Sequence, residues 1–153
     1  MTEPIGEAWL SAWESPITTG PFAGKTLGES WRAMPAEWRG SRLSSCAEFP
    51  LLTKFIFPRD KLSIQVHPDD EYASRFEQSA GGRGKTEMWH IVAAEPGAEL
   101  LLGLKAGATR EKFREALSAG AVEQLLVRQP VRAGDTWFVA AGTQHAILPG
   151  VIV

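Results

Sequence analysis

Side chains able to ligate a metal or steer a proton recur at alternate positions in two short stretches. In Leu62-Ser63-Ile64-Gln65-Val66-His67 the residues alternate apolar with polar, so an extended chain puts Ser63, Gln65 and His67 on one face and Leu62, Ile64 and Val66 on the other. A neutral imidazole nitrogen and an amide oxygen two residues apart can converge on one ion in front of a sheet. The same alternation also describes a plain solvated face. In Lys85-Thr86-Glu87-Met88-Trp89-His90 the period gathers Lys85, Glu87 and Trp89 and turns Met88 and His90 away. Glu87 is able to complete a metal's ligand shell while Lys85 supplies positive charge to a developing oxyanion or a phosphate. Read alone, the pair is equally a surface ion pair beside a core tryptophan. His90 is expected to be a structural histidine outside any such site.

These stretches need strands to hold them, and the chain reads as strands. Leu51 to Phe57 is a strand-length apolar run ended by Pro58, Thr86 to Ala93 and Leu100 to Leu104 are two more, and Trp137-Phe138-Val139 opens a return to strand grammar up to Val153. Before Phe49 the glycines and prolines mark turns and brief strands, although Trp9 and Trp13 carry helical spacing ahead of Glu14-Ser15-Pro16. A short helix is expected over 69–78 behind Pro68, then a glycine-rich turn over 79–84. Thr109 is expected to cap a helix over 110–117, with a second helix near 122–127, so that 109–128 forms a helical insertion. The expected fold is all-β with small helical insertions, in one domain over 1–153.

Composition narrows the function. With 16 basic and 18 acidic residues in 153, a net charge of -2 argues against a broad nucleic-acid or anionic-membrane footprint, so any bound phosphate should be small. No apolar run reaches the roughly 18 residues needed to span a bilayer. The single cysteine, Cys46, excludes an internal disulfide, and Met1-Thr2-Glu3-Pro4 does not open a signal peptide. A cytoplasmic protein is expected. Gly84-Lys85-Thr86 suggests a phosphate-binding loop, but that motif requires a glycine where Ser79 stands and a helix where Glu87 to Val92 reads as strand.

Gly134, Ala140, Gly142 and His145 have the spacing of the second cupin motif, G-x5-P-x-G-x2-H, with Ala140 in the proline position. That spacing turns the chain at a glycine and starts an inward-pointing strand at His145. Gln65, His67, Glu87 and His145 then form one nitrogen and oxygen ligand set, suited to zinc or a similar divalent ion. Ser63 to Ala73, Gly84 to Trp89, and Gly134 through Ala141 to Ile147 together resemble the three metal-site segments of the compact bacterial type I mannose-6-phosphate isomerases, and Gly20 to Leu27 and Phe49 to Lys54 are similar to the family's lead-in segments.

The resemblance implies a cupin-type jelly roll holding one Zn2+ on Gln65, His67, Glu87 and His145. It implies Lys85 as the catalytic cation, Lys54 and Ser63 as phosphate contacts, and Trp89 as a pocket wall. The implied reaction interconverts mannose 6-phosphate and fructose 6-phosphate through an enediolate; the competing reading is a non-catalytic metal-binding module that holds a sugar phosphate. A cupin oxygenase is disfavoured, because Gln65 stands where a three-histidine iron site needs histidine. Family members continue beyond the His-Ala-Ile segment into further strands that bring an arginine implicated in catalysis, whereas this sequence stops at Val153. The expectation is therefore an incomplete roll that self-associates through an open sheet edge and isomerises slowly.

Overall fold

The computed structural model describes residues 5–80 and 82–153. Met1-Thr2-Glu3-Pro4, and Gly81 within the glycine-rich turn, lie outside the described residues. The chain divides into two compact units, one ending at Ile56 and one running from Phe57 to Val153.

In the first unit β1 (Glu7–Ser11) pairs antiparallel with β2 (Thr53–Ile56). Trp9 therefore sits in a strand, and its helical spacing to Trp13 is overridden: backbone pairing to the β-prone Thr53-Lys54-Phe55-Ile56 run fixes an extended chain. Between the strands lies α1 (Leu27–Ala33), opened by a capping box in which the Glu29 N–H donates to the Thr26 hydroxyl and the Thr26 N–H donates to the Glu29 carboxylate. Trp31 on this helix is buried, meets Phe49 edge-on, and donates its indole N–H to the Cys46 carbonyl.

The second unit follows the expected order closely. Asp69 caps α2 (Asp70–Phe76) by accepting the Tyr72 N–H. Then come β3 (Glu87–His90), β4 (Ala93–Ala94), β5 (Glu99–Leu104), α3 (Arg110–Ser118), β6 (Leu126–Pro130), β7 (Thr136–Val139), β8 (His145–Ile147) and β9 (Val151–Ile152). All the pairings are antiparallel: β3 with β7, β4 with β9, and β6-β5-β8 in one three-stranded sheet. The insertion is present as α3, capped by the Thr109 hydroxyl, and a 3-10 turn over Val122–Leu125. Phe113 and Ala116 of α3 pack on Leu101, Val122, Leu126, Ala146 and Leu148, tying the insertion to the central sheet. Full burial of the larger of these side chains, Leu101 and Leu126, contributes about 1.5–3 kcal/mol each.

The segment from Leu62 to His67 differs from a continuous strand. The Leu62 N–H donates to Ile147 O, and Gln65 and His145 exchange both backbone bonds at 2.9 Å, but three residues on one side then span two on the other. That extra residue is a bulge, which breaks the ladder into an isolated bridge. Ile64 still packs on the core cluster below the bulge.

Candidate metal centre

The ligand-type side chains are brought forward by three pieces of the second unit, the segment over 62–67, β3 and β8. Glu87 lies on β3 opposite Val139, and Trp89 lies opposite Trp137, so these four share the inner face while Met88 and Phe138 pair on the exposed one. The outward His90 bonds Thr136 Oγ1 at 2.9 Å. His145 begins β8 after a turn at Gly142, whose φ of 82° is in the left-handed region glycine adopts without strain. Directly opposite His145 is Gln65, and opposed residues of an antiparallel pair present their side chains to the same face. The Gln65 amide nitrogen donates to Ser63 Oγ at 2.9 Å, which leaves the amide oxygen as its ligand-type atom.

His67, Glu87 and His145 each offer a ligand atom, and these lie within 4.8 Å of one another. His67 Nε2 is 3.5 Å from Glu87 Oε1, and His145 Nε2 is 3.4 Å from Glu87 Oε2. In a tetrahedral zinc site with bonds of about 2.0–2.1 Å, neighbouring ligand atoms stand about 3.3 Å apart. The two carboxylate-to-imidazole distances, one from each Glu87 oxygen, are close to that spacing, and two imidazoles plus a carboxylate is a donor set known from catalytic zinc. His145 Nδ1 sits 2.8 Å from the Thr143 carbonyl, which can only accept, so Nδ1 carries the proton and Nε2 presents its lone pair to the cluster. Burial first, then the Lys85 ammonium, holds the His67 pKa below the ordinary imidazole value against the opposing pull of Glu87. Both effects favour the neutral, ligating form.

Lys85 Nζ lies 2.8 Å from Glu87 Oε1 and 3.3 Å from His67 Nε2. Trp89 is buried, with its ring edge-on to His145 at 5.3 Å, and it walls the cluster. Lys54 belongs to the first unit, on β2, where its ammonium pairs with Glu7 at 2.8 Å. Sequence reading missed the Thr143 carbonyl, because a backbone acceptor leaves no residue-type signal. It also missed Trp137, whose indole N–H is buried without a hydrogen-bond partner among the described residues.

A largely antiparallel β-fold with a histidine and carboxylate cluster on its inner face defines a β-protein with a candidate metal site. Residues 1–97 match the family model described as phosphomannose isomerase type I, catalytic domain, and the chain belongs to that family. It is 40% identical over 156 residues to the mannose-6-phosphate isomerase of Streptococcus mutans, covering 99% of this chain and 47% of the relative. The solved mannose 6-phosphate isomerase of Bacillus subtilis superposes with a TM-score of 0.83 at 36% identity, over 96% of this chain and 46% of that one. A zinc-bound mannose 6-phosphate isomerase shares the fold at 17% identity and a TM-score of 0.66, over 97% of this chain and 59% of that one. The chain thus spans about half the length of the curated relatives it matches. The all-β, cupin-type fold with small helical insertions stands as expected.

Proposed function

We propose that this chain is a cytoplasmic, zinc-dependent aldose-ketose isomerase acting on mannose 6-phosphate and fructose 6-phosphate. One observation carries the reading: His67, Glu87 and His145 converge on one point with the Lys85 ammonium beside them. His67, Glu87 and His145 would hold the metal, with Gln65 as a fourth ligand. When bound, zinc supplies a Lewis acid that polarises substrate oxygens. Lys85 stands where a fixed cation stabilises the oxyanion that develops as a proton moves between C1 and C2. In this reading Trp89 is the buried wall beside His145.

Ser63 is assigned to the phosphate because its hydroxyl lies on the Gln65 side of the segment, and Lys54 is assigned on the family resemblance. The Glu7 carboxylate engages only part of the capacity of the Lys54 ammonium, which has three N–H donors. Among the described residues no helix is long and apolar enough to cross a membrane, and the net charge of -2 supports a small anionic substrate over nucleic acid. Self-association through a sheet edge belongs to the same reading, with β6 at one edge of its three-stranded sheet among the described residues.

A coupled isomerase assay on the zinc-loaded chain tests the proposal. Turnover of mannose 6-phosphate that falls by about 100-fold or more in Lys85→Ala, with zinc retained, is the expected result. Calorimetry with mannose 6-phosphate against mannose addresses the phosphate: equal affinity removes Ser63 and Lys54 from it. Binding of the phosphorylated sugar without turnover would replace the isomerase by a binding module.

A further inference from the structure

Lys85 has a flexible four-carbon stem, yet its ammonium stands within reach of both Glu87 and His67. Its root is fixed by a contact far from the strand pairing. The Gly84 N–H donates to Asp70 Oδ1 at 2.8 Å, and the Lys85 N–H donates to the Pro68 carbonyl at 3.0 Å. The two backbones also touch: a Cβ on Gly84 would lie 2.6 Å from the carbonyl carbon of Asp69 and 2.6 Å from the nitrogen of Asp70. Only glycine permits this approach. Pro68 directly follows His67, so the clip seats the start of the Lys85 side chain on the same stretch of chain that carries the imidazole.

We infer that Asp70 and Gly84 are positioning residues for Lys85, forming a clip that registers the cation against His67 and Glu87. This rests on Lys85 being the active-site cation of the proposed function. The metal ligands have their own supports: Glu87 is held by the β3–β7 ladder, His145 by Gln65 and the Thr143 carbonyl, and the His67 backbone by the Gly142 N–H, which donates to its carbonyl at 2.7 Å. Loss of the clip therefore affects Lys85 selectively. Asp70 receives a hydrogen bond from a backbone N–H, and an asparagine oxygen accepts the same bond.

The test is acylation of lysines in the zinc-loaded chain, read residue by residue by peptide mass spectrometry, with zinc retention followed by chelator competition. Asp70→Ala should label Lys85 about fivefold faster, the effect of losing one hydrogen bond of typical net strength, without faster loss of zinc. Asp70→Asn should restore the parental rate, and Gly84→Ala should behave like Asp70→Ala. An unchanged Lys85 rate in Asp70→Ala overturns the inference. So does an Asp70→Asn chain that labels as fast as the alanine, or a rise shared by Lys61 and Lys105, which marks general loosening. Labelling needs no turnover, so an inactive chain with Asp70-controlled Lys85 sinks the isomerase reading and leaves the clip intact.

Discussion

Around Arg128 two carboxylates meet two cations in water; around Glu87 one carboxylate meets one ammonium and two imidazoles against a buried tryptophan. In the first cluster Arg128 bonds Glu99 at 2.9 Å and Glu123 at 2.6 Å, and Lys61 closes on Glu123. Every charge there has an opposite partner. In the second, two imidazole nitrogens stand 3.4–3.5 Å from one carboxylate; with both imidazoles neutral and their Nε2 lone pairs turned inward, all of these atoms are acceptors that a cation would draw together. Lys85 supplies part of that cation from the rim. The lesson is that acceptors turned toward acceptors mark a ligand site, whereas balanced pairs mark a surface.

The largest expected effect breaks that contrast at its centre. His145→Ala removes a buried ligand atom already oriented by Thr143, and zinc affinity should fall by more than about 100-fold, beyond what loss of an orienting partner costs. Arg128→Ala, the corresponding change in the other cluster, should leave affinity unchanged. Competition against a chelator of known strength measures both. Equal retention by the two variants would show that the histidine cluster holds no metal.

A smaller effect sharpens the role of the rim cation. Lys85 repels a divalent ion and competes for Glu87, so Lys85→Met should bind zinc tighter, by about tenfold. Lys61→Met, beside Glu123, should not change affinity. If Lys85→Met binds zinc more weakly, the ammonium supports the site in place of opposing the metal.

Much of this contrast is legible in the sequence, for a physical reason. The side-chain period of an extended chain is two, so Glu87 with Trp89, and Gln65 with His67, declare their shared faces wherever the backbone is extended. His145 is legible from the glycine spacing of its turn. What is not legible depends on tertiary contact. The bulge between Leu62 and Gln65 arises from pairing with Ile147 and His145, some eighty residues away. Gly84 looks like part of a turn or a phosphate loop, because a close approach to Asp69 and Asp70 leaves no mark in local spacing. Helix α1 carried its signal in Thr26-x-x-Glu29, a capping pattern easily passed over among so many glycines. Trp9 shows the reverse failure, since a spacing of four residues carries no weight against a strand partner.

The smallest expected effect lies in the surface cluster. The hydrogen bond from Lys61, with the charges of Lys61 and Arg128 behind it, holds the Glu123 carboxyl below its ordinary pKa. A carboxyl depressed on folding contributes stability that is fully present above its unfolded pKa and is lost as pH falls through the folded one. The contribution should thus be intact at neutral pH and vanish in the acid range below the usual carboxylate value. Glu123 is near the surface, where solvent and salt screen such pairs, so the loss should be no more than about 0.5 kcal/mol. Urea melts of the parent and Glu123→Gln at neutral and acid pH should differ by that amount at neutral pH and coincide in acid. A difference that persists in acid would mean that the effect does not come from the charge of Glu123, and the comparison between a balanced surface network and an acceptor-rich site would lose its electrostatic basis.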